Sequence, residues 1–216
     1  MPVLADEDAC AALLRQLPPD SAVDIVVVDG AASARLESLI ATRADVRLVR
    51  SEPGRARQMN AGASIGRGEW LLFLHADSSL PDGWLEALER GSRGAIGGWF
   101  QFALDDPAWQ ARWIERGVRL RNRLFRLPYG DQGIFVRRST FEAIGGYREI
   151  AIMEDVEIVR RLHAAGPLVE VPLLLATSGR RWRRDGWFRR SARNVLLVSL
   201  YFAGVAPERL ARWYAR

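Results

Sequence analysis

Short, unbroken apolar runs set between turn residues constrain this chain more than any other feature. The run VDIVVVD, residues 23–29, is β-branched, lacks polar alternation and is too short for a helix. Such a run reads as a strand covered on both faces, the way strands of parallel sheets are buried. EWLLFL, residues 69–74, repeats the pattern, and residues 46–50, 96–104, 134–137 and 168–171 add further strand candidates. Between them lie stretches with helical spacing: 33–42, 56–65, a helix entered at Pro81 and running through Arg90, then 107–127, 139–144 and 153–165. The 107–127 helix carries Trp109, Trp113 and Leu120 on one apolar face. Strands alternating with helices predict one α/β domain over residues 1–216, with a mixed, mostly parallel sheet and flanking helices. No linker, repeat or low-complexity run divides it. Residues 183–216 read as a basic, apolar and largely helical C-terminal tail that restarts at Pro207.

Charge narrows the class further. The chain contains no lysine, so all 31 basic residues are arginines, and the formal net charge is +5. Between Arg180 and Arg193 a single acid stands among the arginines, a patch that attracts phosphates of nucleotides, nucleic acids or anionic lipids. No nucleic-acid reader motif accompanies it, so nucleic acid is not an expected partner. The apolar run VLLVSLYFA near residue 200 is too short to span a bilayer. It suits a core helix, or a surface helix that docks on anionic lipid or on another subunit, which leaves room for a homodimer. A lone cysteine, Cys10, and no secretory signal over residues 1–8 suit the cytoplasm, with peripheral contact at the inner face of the membrane.

In open α/β sheets, ligands bind beyond the carboxyl ends of the strands. Asp29 and Asp77 stand at two such ends. A carboxylate at Asp77 suits Mg²⁺ or Mn²⁺ bridging a diphosphate, with His75 on the same side of an extended chain as a second donor. Asp77 suits a turn cap equally well. Arg55 and Arg57 open a helix, where the macrodipole disfavours them unless an anion binds there. The pair Glu154 and Asp155 opens another helix, either complementing its dipole or supplying a general base for an acceptor hydroxyl. His163 shares a face with Val156 and Val159 and reads as packed. Arg181 and Trp182 follow a strand-like LLLATSG segment and suit a phosphate clamp with a stacking ring.

The succession VVVDGA, GRARQMNAG, WLLFLHADSSLP, GDQGIFVRR, GGYREIAIMEDVEIVRRL and TSGRRW resembles family-2 glycosyltransferases of the GT-A (Rossmann-like) nucleotide-diphospho-sugar transferase fold. The order is closest to that of the small bacterial glycosyltransferases associated with arsenosugar biosynthesis. The resemblance implies that Asp29 contacts the nucleotide and that Arg57 and Asn60 line the diphosphate or sugar. It implies that Asp77, in the triplet His75-Ala76-Asp77, holds a divalent cation. Asp131 and Gln132 would face acceptor or sugar, Asp155 would be the base for inverting transfer, and Arg181 and Trp182 would lie near the donor phosphates. The family begins with a full strand and a Pro-x-x-Asn-Glu turn; here Met1-Pro2 stands at that turn and Ala5-Asp6 replaces Asn-Glu, so the first strand is expected to be missing. The loop after Asp29 reads Gly30-Ala31-Ala32-Ser33 and lacks a second nucleotide-contacting acid.

The expected activity is therefore sugar transfer from a nucleotide-sugar donor to a small-molecule or lipid-linked acceptor. The alternative is a non-catalytic, glycosyltransferase-like binding protein with an eroded nucleotide site. A sugar nucleotidyltransferase is disfavoured, because no Gly-rich, basic triphosphate loop follows the first apolar run.

Overall fold

The computed structural model describes residues 1–17, 19 and 23–214. The last two residues of the tail therefore lie outside the described residues. In chain order the elements begin with β1 (Pro2–Val3), α1 (Glu7–Arg15), β2 (Ile25–Asp29), α2 (Ala34–Ile40), β3 (Val46–Arg50) and α3 (Arg55–Ile65). Next come β4 (Trp70–Phe73), β5 (Ser78–Ser79), α4 (Trp84–Gly91), β6 (Gly97–Asp105) and α5 (Trp109–Phe125). A 3₁₀ turn (Gly130–Gln132) leads into β7 (Ile134–Arg137), α6 (Arg138–Ala143), α7 (Glu154–Ala165) and β8 (Leu168–Ser178). The chain closes with α8 (Arg180–Asp185), α9 (Trp187–Phe202) and α10 (Pro207–Tyr214).

Among the described residues the strands form two sheets. The smaller is wholly parallel, in the order β1-β2-β3. The larger runs β4-β7-β6-β8-β5, with only β6 and β8 parallel. The expected α/β arrangement is present and the sheet is mixed, with more antiparallel pairing than the apolar runs suggested. The first strand is present as a stub: Pro2 and Val3 pair with Val28 and Asp29, and the Met1 ammonium donates to the Val26 carbonyl at 2.9 Å. Beyond the stub, β2 and β4 face each other across a groove of about 280 Å³, lined by Val23, Ile25, Val26, Leu71 and Phe73.

Local chemistry explains most boundaries. Ser33 caps α2, its hydroxyl accepting from Leu36 N at 3.3 Å. α7 begins after Met153, which sits at φ 70°, and its first turn holds Glu154, Asp155 and Glu157, matched to the positive end of the helix. β8 does not stop before Pro172; it passes through a bulge, where the register against β6 shifts between Phe100 and Gln101, and resumes. Gly98 allows this pairing, since a Cβ there would lie 2.1 Å from the Val169 carbonyl oxygen. Phe100, Phe135, Val171 and Leu175 fill the core on one face of the larger sheet, while Val136, Val156, Ile158 and Leu162 fill the other.

The apolar face of α5 points outward. The helix buries Ala111, Ile114, Glu115 and Asn122, whereas Trp109, Trp113, Leu120 and Leu124 are exposed. α9 likewise leaves Val195, Leu196 and Phe202 in the open and buries only Arg190 and Leu197. No helix among the described residues is long and apolar enough to cross a membrane.

Candidate active site

Five segments converge on a cavity of about 650 Å³. The first turn of α3 brings Arg55 and Arg57, and the segment after β4 brings His75 and Asp77. The 3₁₀ turn supplies Asp131, the first turn of α7 supplies Glu154 and Asp155, and α8 supplies Arg181 and Trp182. These nine sequence-predicted residues line one space, although up to 127 positions separate Arg55 from Trp182.

Four acids line it: Asp77, Asp131, Glu154 and Asp155. Asp155 is held by two backbone amides, Gly130 N at 2.8 Å and its neighbour Val156 N at 2.8 Å. Gly130 must be small: a Cβ there would lie 3.0 Å from His75 Nε2 and 3.5 Å from Asp155 Cβ. Glu154 is only 4% exposed and accepts from Arg55 Nη1 at 3.3 Å. Burial raises its carboxyl above the usual range, and the adjacent Asp155 adds to the rise. Burial likewise pushes Asp131 up to about 6, with Asp155 and Asp77 adding to the push against the opposing Arg121.

His75 goes the other way. Burial, then the charges of Arg55 and Arg181, lower it to about 3, so the ring is neutral across the physiological range and offers a lone pair. Asp77 lies 3.7 Å from Arg180 Nη2, which also pairs with Asp6. Among the described residues, no three His, Cys, Asp or Glu side chains gather as a cage for a metal ion. The donor set fits a sparser mode of binding, in which Mg²⁺ or Mn²⁺ is held by one or two carboxylates and its shell is completed by substrate phosphates.

Three predicted residues stand outside the cavity lining. Asp29, 1% exposed, accepts from Ala31 N at 2.8 Å and Ser33 N at 2.6 Å, so its carboxylate shapes the loop after β2. Asn60 clamps Tyr147, donating to its carbonyl at 2.8 Å and accepting from its amide at 2.9 Å. Gln132 is fully buried, donating to the Phe100 carbonyl at 3.1 Å and accepting from Arg121 at 2.8 Å. His163 packs edge-on to Trp99 and bonds the Arg126 carbonyl oxygen at 2.7 Å.

The structure adds residues that sequence reading passed over. Tyr129 lines the cavity under the Arg121 guanidinium, which lies 3.5 Å from its ring centroid. Glu149 also lines the cavity and pairs with Arg57 at 3.1 Å. Arg190 is buried, bonded to Asp185 at 2.6 Å and Tyr214 at 3.0 Å, and lies over Trp182 at 5.1 Å. Tyr129 stood beside the GDQG motif as a signal; Tyr214 reaches the cavity only because α10 folds back. Most of the Arg180–Arg193 patch is internally paired: Arg180 with Asp6, Arg183 with Asp106, and Arg184 and Arg190 with Asp185.

The sequence profile described as Glycosyl transferase family 2 matches residues 7–144. No curated protein matches the chain. Among solved structures the fold resembles mannosyltransferase PcManGT from Pyrobaculum calidifontis, in complex with GDP-Man and Mn²⁺. The TM-score is 0.68 at 16% identity, over 96% of this chain and 64% of that one. It also resembles S. aureus TarS 1-349 in complex with UDP-GlcNAc, with TM-score 0.61 at 14% identity over 82% of this chain and 56% of that one. Glucosyl-3-phosphoglycerate synthase from Mycobacterium tuberculosis, in complex with Mn²⁺ and UDP-Glc, aligns with TM-score 0.59 at 16% identity, over 90% of this chain and 76% of that one. The chain spans less than two thirds of the first two proteins. At these identities the likeness carries the fold, the α/β arrangement of GT-A glycosyltransferases.

Proposed function

Because the chain belongs to glycosyl transferase family 2, we propose that it moves a sugar from a nucleoside-diphosphate sugar to an acceptor hydroxyl, inverting the anomeric carbon. The observation that carries this reading is the division of charge in one cavity. Arg55, Arg57 and Arg181 offer guanidinium groups to a diphosphate, while Asp131, Glu154 and Asp155 form an acidic wall beside them. Solved relatives of the same fold hold UDP- or GDP-sugars, which supports the donor class.

In this reading Asp155 takes the proton of the acceptor hydroxyl as its oxygen bonds to the anomeric carbon. The anomeric bond to the diphosphate breaks at the same time, and its electron pair leaves with the nucleoside diphosphate. The two amides on Asp155 fix the carboxylate for in-line approach. Arg55 ties Glu154 back from the acceptor and keeps the wall in place. Asp77, with neutral His75 beside it, would hold Mg²⁺ or Mn²⁺, which supplies positive charge against the diphosphate when bound. Asp29, Asn60 and Gln132 then act through the loops they brace. The closer likeness to the arsenosugar-associated subgroup rests on motif order. The same reading places the protein in the cytoplasm, at the inner face of the membrane if the acceptor is lipid-linked. It expects no nucleic-acid partner, and it leaves the homodimer as an alternative use of the exposed helices.

One observation favours the non-catalytic binding protein instead: the Asp29 carboxylate is occupied by Ala31 and Ser33 amides, and no second acid follows it. Calorimetric titration with UDP and GDP, with and without Mn²⁺, separates the two. Metal-dependent binding of one nucleotide that is lost in Asp77→Ala is the expected result. No nucleotide binding by the folded wild type overturns the transferase reading.

A further inference from the structure

Beside the catalytic cavity runs a second, larger one, about 1290 Å³, between α5 and α9. Trp113, Leu120 and Leu124 form one wall, and Val195, Val198 and Phe202 form the other. The two spaces are continuous: Tyr129, Asp131, Trp182, Asn194 and Val198 line both. The groove therefore opens at its inner end onto the acidic wall, and at its outer end onto solvent, where Leu124 is 63% and Phe125 71% exposed.

Its charged lining is basic except for Asp131 at the inner end: Arg121, Arg126 and Arg160 line the groove, and Arg126 and Arg160 are exposed. The single acid of α5, Glu115, is buried and bonded to Leu104 N at 2.9 Å and Arg112 at 3.0 Å. α9 contains no acid. Arg160 reaches over Phe202 at 5.5 Å, and Arg116 lies over Trp113 at 5.4 Å. A second copy of this face would set arginine against arginine. The complementary surface is apolar in the middle and anionic at the edge, which describes a lipid, and helices with Trp, Phe and Leu beside arginines lie in membrane interfaces.

We propose that the α5–α9 groove seats the hydrocarbon chain of an anionic, membrane-borne acceptor, whose head group enters the catalytic cavity past Tyr129 and Asp131. The assignment rests on the transfer reading for what happens next: the head-group hydroxyl oxygen bonds to the anomeric carbon, its proton passes to Asp155, and the diphosphate leaves. It also locates the lipid contact on α5 and α9, away from the internally paired arginines of α8.

The test titrates the full chain with inorganic phosphate, n-octyl phosphate and n-dodecyl phosphate, following heat or tryptophan emission. Dodecyl phosphate should bind at least tenfold more tightly than octyl phosphate, and inorganic phosphate should not compete for the groove. Leu124→Glu combined with Val195→Glu, both at exposed positions, should abolish the chain-length dependence while circular dichroism and nucleotide binding stay as in the wild type. The paired change Arg116→Glu, Arg160→Glu, at the two arginines that lie over groove-wall rings, should weaken dodecyl phosphate but keep the chain-length dependence. Affinity independent of chain length, or undiminished in the Leu124/Val195 variant, overturns the proposal. So does self-association of the wild type that this variant disperses. Chain-length-dependent binding without any nucleotide binding sustains the lipid seat and removes the transfer reading alone.

Discussion

At the scale of single residues, the site depends on where protons sit. If Asp155 receives the acceptor proton, Asp155→Asn keeps the shape and the bond from Gly130 but loses the base. Turnover should fall by about 10³-fold with little change in donor affinity, read as nucleoside diphosphate release from the donor that binds. Asp131 makes a sharper statement about pH. Its carboxyl is held at about 6 in the fold against 3.8 unfolded, so the folded state binds the extra proton between those values. Stability contributed at this position therefore falls as pH rises from 4 to 6, and the full cost remains above 6. Asp131→Asn should raise stability by about 2 kcal/mol at pH 7.5 and by almost nothing at pH 4, measured by urea unfolding at both. His75 acts in the opposite sense: held at about 3, it costs stability as pH falls through 6.5, when the unfolded ring takes a proton that the folded one refuses.

At the scale of elements, the sequence announced positions better than faces. The β3 and β7 spans, Val46–Arg50 and Ile134–Arg137, coincide with the short β-branched segments marked in the sequence. The span of α5 was equally legible, but most of its apolar face was not core: the helix buries Ala111, Ile114, Glu115 and Asn122 and turns Trp109 and Trp113 outward. Periodicity reports that a helix has an apolar side and says nothing about what covers it. β8 ran past Pro172 because a bulge absorbs the missing donor, a tertiary matter invisible in local pattern. Among the site residues, the acids and arginines Arg55, Arg57, Asp131, Glu154, Asp155 and Arg181 line one cavity. Asp29, Asn60 and Gln132 are of the same polar type but bind backbone. Asn60 joins α3 to the Gly145–Tyr147 turn through two hydrogen bonds. Asn60→Ala should cost about 1–3 kcal/mol, seen as a fall in melting temperature, because it leaves a buried amide and carbonyl without partners.

At the scale of the whole molecule, the strands among the described residues fall into two separate sheets. The larger is buried at its centre, where β6 lies between β7 and β8; the smaller has β2 between β3 and a two-residue stub. Local openings should therefore start in the smaller sheet. Native-state hydrogen exchange should show amides of β6 and β8 exchanging at the global unfolding limit, and those of β2 and β3 at lower free energy. Equal protection in both sheets would mean that the molecule opens as a single unit.

Among the described residues, no strand pairs with β4 or with β2 beyond the stub along the groove between those sheets. Unpaired strand margins are templates on which a strand from another molecule can grow. Charge stands at the mouth: exposed Asp24, which accepts from Arg67 N at 2.6 Å and pairs with Arg47, and exposed Glu69, which pairs with Arg137. These gatekeepers make entry of an apolar strand costly. Protection of this margin is thus a local matter, resting on Asp24, Arg67 and Glu69 more than on the surplus of arginine spread over the surface.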